Sequence, residues 1–335
     1  MPSHDREERL PTLTARHTIS GPAWNPVSGI TGWDPATGPP GWGPVVPDET
    51  RPQQLPPRMP MDPHVRGLSP FGLPARHSWE IPLLVIIVVL TVFAYPYAVY
   101  AVGRGTDNVY LSILAFAPIL VWFLRGSQWG QARVQGVKMS PTQFPDAYRM
   151  VQEAATRFGM KHSPDAYVVL GNGQINAFAA GHGFRRFVVV NSDLFEIGGA
   201  ARQPEALAFV IGHEVGHIAA GHTSYWRQFG TVLMQFVPVL GPALSRAQEY
   251  TADNHGYSYC FTGAAGAMTT LSAGKYLGVL VGFDEMADRA FTETGFFVWL
   301  TNLQASHPVN TWRMWALRDR SRHGKLFLRP APSAT

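Results

Sequence analysis

The chain has almost no cysteine. Cys260 is the only one in 335 residues, so no intrachain disulfide can form and every thiolate-rich zinc cluster is excluded. Any metal held by this chain must therefore be held by histidine and carboxylate. Concentrated charge is also lacking. The formal net charge is only +4 and the Lys and Arg residues are scattered, so the dense basic run of a nucleic-acid footprint is missing and no nucleic-acid partner is expected. The opening residues MPSHDREERL are charged and carry no apolar core, so no cleavable signal peptide is expected and membrane insertion would use internal segments. A hydrophobic fraction of 46% suffices for one domain of ordinary size plus additional segments, but not for several large domains.

The remaining features are unevenly distributed. Residues 1–78 hold sixteen of the 28 prolines and many glycines, and Trp24, Trp33 and Trp42 are isolated without helical or strand periodicity. This arm is expected to be disordered, either a solvated linker or a docking tail for partners through patches such as Gly41-Trp42-Gly43-Pro44. The composition changes at Trp79. Residues 81–102 contain no charge, and at about 1.5 Å per residue they reach about 33 Å, enough to cross a hydrocarbon core. A polar break at 103–108 precedes a second apolar run, 109–124, with Tyr110 and Trp122 as interfacial aromatics. Residues 79–126 thus read as two transmembrane helices, with Pro96 and Pro118 tolerated inside them. Arg66 and Arg76 precede the pair and Arg125, Arg133 and Lys138 follow it, whereas the connecting turn has only Arg104 opposite Asp107. The positive-inside rule then places both flanks in the cytoplasm of a multi-pass protein of the cell membrane.

From residue 137 to about 320 the pattern is that of a folded α+β domain, mostly helical with a small β-sheet. An amphipathic stretch at 145–158 repeats Tyr148, Val151, Ala155 and Phe158 at helical spacing. Three β-prone runs follow at 166–170, 177–180 and 187–191, separated by Gly-Asn-Gly and Gly-His-Gly turns, and then two long helical regions. Residues 321–335 are expected to form a flexible tail.

Chemistry concentrates in the first of these helical regions. Pro204 suits a first helical turn, so His213-Glu214-Val215-Gly216-His217 lies on a helix. Residues four apart differ by about 40° in azimuth, which projects both imidazoles from one face toward a common tetrahedral ion, for which zinc is expected. Glu214 sits beside the ion instead of binding it, where a carboxylate can take a proton from activated water. A chance match on a surface helix is the alternative. The neighbours Ala208, Phe209, Val210, Ile211, Ile218, Ala219 and Ala220 argue against it, since a buried helix must find partners for two His and a Glu. His222 lies five residues after His217, about 140° around a continuous helix, and is read as a surface histidine. The second helical region, residues 245–253, offers Glu249 as third ligand and Asp253 one turn later as hydrogen-bond acceptor for a ligating imidazole. All ligands of one ion need the same side of the bilayer. The 31 residues between His217 and Glu249 cannot hold two crossings, so the apolar run 229–244, broken by Pro238, Gly241 and Pro242, is expected to cross nothing.

The HEVGH motif, the later SRxxEYxAD segment, Asn176-Ala177-Phe178-Ala179 upstream and His307-Pro308 with Arg313 downstream resemble, in this order, the HtpX-like membrane metallopeptidases, the group that includes the CAAX prenyl endopeptidases. The resemblance covers roughly residues 139–317. It implies a zincin-type domain of the gluzincin kind, with one Zn2+ per chain on His213, His217 and Glu249 and with Glu214 as catalytic base. By the same analogy Asn176, Ala177, Phe178 and Ala179 would form an edge strand pairing with extended substrate, and His307 or Arg313 would stabilise the oxyanion. The implied activity is endoproteolysis of membrane or misfolded proteins in quality control. HtpX itself carries a further membrane hairpin between ligands, which this chain lacks room for. A non-catalytic membrane adaptor with a structural zinc site and a partner-binding proline-rich arm is the rival. It gives no reason to keep Glu214, which the fold does not need. A zinc aminopeptidase is a further rival, but no exopeptidase signature is present.

Overall fold

A computed structural model describes residues 62–195 and 201–331 of the chain. The expected partner docking on the arm, through Gly41-Trp42-Gly43-Pro44, lies outside the described residues. Strands β1 (Asp62–Gly67) and β2 (Gly72–Pro74) pair in parallel ahead of Ser78, where disorder was expected. The carbonyls of Leu68, Pro70, Gly72 and Ala75 accept hydrogen bonds from Arg320, Arg157, Ser258 and Asn254. A segment with no apolar periodicity of its own is thus ordered by donors from far along the chain, which satisfy backbone acceptors that would otherwise need water.

Two long apolar helices follow, α1 (Glu80–Gly103) and α2 (Val109–Gln135). Asn108 caps α2, its side chain accepting from the backbone N–H groups of Tyr110 and Leu111. Val92, Phe93 and Tyr100 on α1, and Ile119, Trp122 and Phe123 on α2, are exposed. A core hairpin of a soluble domain would bury such side chains. Among the described residues, α1 and α2 are the helices long and apolar enough to cross a membrane. Beyond Leu124 α2 continues into the domain, where Trp129 and Ala132 pack on Tyr167, Phe187 and Val189.

The sheet contains β3 (Val137–Lys138), β4 (Asp165–Val169), β5 (Ala177–His182) and β6 (Arg185–Asn191) in the order β3-β4-β6-β5. β4 and β6 run parallel, β5 and β6 form an antiparallel hairpin, and β5 stands at the edge. Alternation along β6 splits its side chains between two faces. Phe187 and Val189 meet α2, whereas Val188 and Val190 meet Val151 and Ala154 of α3 (Pro145–Arg157).

The second half is helical: α4 (Pro204–Ala219), α5 (Tyr225–Gly230), α6 (Leu240–Tyr259), α7 (Ala264–Leu277), α8 (Phe283–Thr292), α9 (Phe296–Gln304) and α10 (Asn310–Arg318). The apolar run 229–244 is divided among the end of α5, a short 3-10 turn at Val232–Gln235 and the start of α6. Phe209 of α4, Leu244 and Ala247 of α6, Met268 of α7 and Trp315 of α10 share one core. Residues 321–331, expected to be a flexible tail, are docked on it. Leu326 is buried and its carbonyl accepts from Arg246 and Asn302, while Lys325 O accepts from Tyr250. The anchor is again long-range, invisible in the composition of the tail.

Candidate metal centre

Helices α4 and α6 approach closely, and at the crossing α4 presents glycine to the side chains of α6. A Cβ on Gly216 would stand 2.4 Å from His255 Cβ, so only glycine permits this approach. Its consequence is that the His213 and His217 face of α4 meets Glu249 of α6. The two Nε2 atoms are 3.2 Å apart. Glu249 Oε2 lies 3.5 Å from His213 Nε2, and its Oε1 lies 3.4 Å from His217 Nε2. A tetrahedral ion with bonds of about 2.0–2.1 Å sets its ligand atoms about 3.3–3.4 Å apart. These three side chains are the described residues placed to hold a metal, and their spacing fits one.

The electrostatics suit a cation. Burial opposes a charge on His213, but the hydrogen bonds and charges of Asp253 and Glu249 outweigh it and raise its pKa to about 10. Asp253 Oδ1 accepts from His213 Nδ1 at 2.9 Å. Burial would raise the Asp253 pKa, yet the Arg313 guanidinium and His213 hold it down at about 2. Arg313 donates to both Asp253 oxygens, from Nε at 3.0 Å and from Nη2 at 2.6 Å, a bidentate pair in which both partners are buried.

His222 departs from the sequence reading. It is buried, not a surface residue, and its Nδ1 is 2.7 Å from His217 Nδ1. The 140° separation holds only for a helix that continues through His222, but α4 ends at Ala219. Gly221, at φ +78°, turns the chain back so that His222 N–H bonds His217 O. Its Nε2 in turn lies 3.2 Å from Glu80 Oε1, at the head of α1. Burial, joined by the charges of His217 and Arg227 and opposed by Glu80, lowers the His222 pKa to about 3, so the ring is neutral. Neither His222 nor Glu80 was foreseen as part of the site. One signal was available: Glu80 is an acid directly heading an uncharged apolar run, a position at which a carboxylate needs a partner.

The family model for Peptidase family M48 matches residues 141–241 and 224–321, which include both helices of the donor set and everything through α10. The chain belongs to peptidase family M48. Among curated proteins none matches it significantly. As an M48 member it is a metallopeptidase acting on protein or peptide substrates, of the group to which HtpX and the CAAX endopeptidases belong.

The remaining residues singled out in this M48 peptidase fall in different places. Glu214 is buried on α4 immediately after His213. His307 is exposed, with Nε2 3.5 Å from Glu249 Oε1, so the donor set faces solvent on that side. Arg313 lies on the other side, behind Asp253, with two of its donor nitrogens committed there. Ala177, Phe178 and Ala179 open the edge strand β5, and Asn176 just precedes it with its carbonyl accepting from Asn191 N–H. Ala177 packs against both apolar clusters that contain α4 side chains, which places this strand beside the metal helix. Arg246 of the second motif is fully buried. It donates to the carbonyls of Leu303, Ala305 and Leu326, tying the segment that leads into His307 to the helix that carries Glu249.

Proposed function

We propose that this M48 member is a zinc endopeptidase anchored by α1 and α2 as two membrane spans, with its domain on the cytoplasmic face. Its substrates are membrane or misfolded proteins and its role is protein quality control. The observation that carries the proposal is the donor set of His213, His217 and Glu249 at separations of 3.2 to 3.5 Å, with Glu214 adjoining it on α4. The three are the zinc ligands. Zinc, when bound, supplies Lewis-acid chemistry, polarising the scissile carbonyl and acidifying water. Glu214 accepts the proton of the attacking water and returns it to the leaving amine. His307, on the open side, donates to the developing oxyanion. Arg313 serves indirectly, holding Asp253 ionised and aimed at His213 Nδ1. Extended substrate pairs with the backbone of Asn176, Ala177, Phe178 and Ala179 along the edge of the sheet. The exposed apolar surface of α1 and α2 supports their place in lipid.

Glu214→Gln in the full-length protein, purified in detergent, tests the assignment. The variant keeps its zinc, measured by metal analysis, and loses about 10²–10⁴-fold in cleavage of casein or a membrane-protein substrate. Cleavage at the wild-type rate would remove Glu214 from the role of base. Internal fragments are expected among the products, and a ladder from one terminus would indicate an exopeptidase.

A further inference from the structure

The proposed chemistry makes no use of the buried chain of polar groups that runs from His217 to the membrane helix. Glu80, the first residue of α1, is fully buried. Its carboxylate accepts from Arg76 Nη1 at 2.7 Å, from Arg227 Nη2 at 2.6 Å, from Thr251 Oγ1, and from His222 at 3.2 Å. An ionised carboxylate only accepts hydrogen bonds, so His222 carries its proton on Nε2 and donates it to Glu80. Of the two Nδ1 atoms that face each other here only one can carry a proton, and a proton on His222 Nδ1 would force His217 to carry its own on Nε2, the atom that the zinc reading assigns to the ion. His217, 2.7 Å away, must therefore donate from its own Nδ1. That leaves the lone pair of His217 on Nε2, the atom facing His213 and Glu249. Each proton position follows from the preceding one, and the sequence of constraints begins at Glu80.

The segment leading into α1 and the helix α2 also grip the loop that presents His222. Arg76, just ahead of α1, donates to Ala220 O at 2.8 Å, and Arg125 of α2 donates to Thr223 O at 2.7 Å. Arg125 further stacks over the Tyr225 ring, 4.2 Å from its centroid. The hairpin thus fixes the backbone on either side of the histidine that it orients.

We infer that Glu80 is a positioning residue of the metal centre, acting through His222 to set the tautomer and orientation of His217, so that the membrane hairpin completes the site as well as anchoring it. The inference rests on the zinc reading above. It makes the two ligating imidazoles equivalent in design: Asp253 orients His213 directly, and Glu80 orients His217 across one intervening ring. An ion-binding domain with its hairpin displaced would keep all three ligands and lose the support of one.

The test uses full-length protein in detergent, with zinc affinity measured by competition against a chromophoric chelator and ligand geometry read from the visible absorption of the Co2+-substituted protein. His222→Phe keeps an aromatic ring at the position but offers no acceptor to His217 Nδ1. It is expected to weaken zinc binding by about 10–100-fold, the range for lost outer partners of metal-ligating histidine, and to shift the Co2+ bands. His222→Asn, whose amide can both accept from His217 and donate to Glu80, should recover most of the affinity. Glu80→Gln, with Arg76 and Arg227 left in place, should fall between the two. Melting of the chelator-stripped proteins separates folding from positioning. Variants that melt lower but bind zinc with wild-type affinity and unchanged Co2+ bands would overturn the inference, as would wild-type affinity with unchanged melting. The zinc reading has its own control: wild-type protein that binds no zinc, or binds zinc that His213→Ala does not remove, would sink that reading instead.

Discussion

The close crossing of α4 and α6 makes Gly216→Ala an informative perturbation. The added Cβ would stand 2.4 Å from His255 Cβ and 2.8 Å from its Cγ, whereas carbon atoms rest about 3.5–4.0 Å apart. The shortfall exceeds about 1 Å. The His255 ring has little room to yield, because its Nδ1 bonds Thr251 O at 2.7 Å and its ring packs edge-on against Phe158. The helices must therefore separate, and Glu249, six residues earlier on α6, moves with its helix away from both imidazoles. Metal sites tolerate displacements of only about 0.2 Å. Overpacking costs about 1–3 kcal/mol, but replacing a helical glycine by alanine returns about 1 kcal/mol of propensity, so the net loss of stability is about 0–2 kcal/mol. Zinc affinity should fall further than stability, by at least about tenfold, the lower end of the effect of a lost supporting residue. Gly130→Ala on α2 is the matched control, since nothing lies within 4 Å of the Cβ it would add. Thermal melting and chelator competition on both variants provide the assay. If Gly216→Ala bound one zinc with wild-type affinity and melted like the Gly130 variant, the argument that glycine holds these helices together at the metal would be wrong.

Other perturbations bear on the supporting structure. Arg313→Met would leave Asp253 buried without its cation, and loss of one partner of such a pair costs about 3–5 kcal/mol, which a chemical melt would register as a lower midpoint at unchanged slope. His77, whose pKa is lowered to about 4 by burial against weaker opposition from its Gly324 hydrogen bond, supplies a pH dependence. Its neutral ring donates to Gly324 O from Nε2 and accepts from Trp79 N–H at Nδ1. The unfolded chain binds the proton more readily, so this contribution is complete above about pH 6.5. It is lost as pH falls toward about 4, up to about 3 kcal/mol in total. Melting from pH 7 to 4 should therefore show a shallower loss in His77→Phe than in wild type, and equal slopes would refute the assignment.

Much of the site could be read from local pattern. HEVGH places two imidazoles on one face because the helical repeat puts residues four apart nearly in register, and the same arithmetic aligns Glu249 with Asp253. The single cysteine excluded a thiolate site, and the length and apolarity of residues 81–102 indicated a helix able to cross a membrane. The same local arithmetic misplaced His222, because a helix ended by Gly221 no longer obeys the azimuth of a helix that continues. It also misjudged residues 62–78 and 321–331, whose order comes from donors on Arg157, Arg246, Asn254 and Arg320 and not from any periodicity of their own.

What the sequence determined by itself was the chemistry of the donors: which side chains can hold a cation, on which helices, and with which carboxylate beside them. What only the tertiary structure decided was how those donors are held. Arg313 became the partner of Asp253, His307 faced the open side, and Glu80 reached His217 from 137 residues away through His222. The reason is physical. Helical periodicity is a property of neighbouring residues, whereas the pairing of buried charges is set by the low dielectric of the interior, where each must find a partner wherever the fold supplies one.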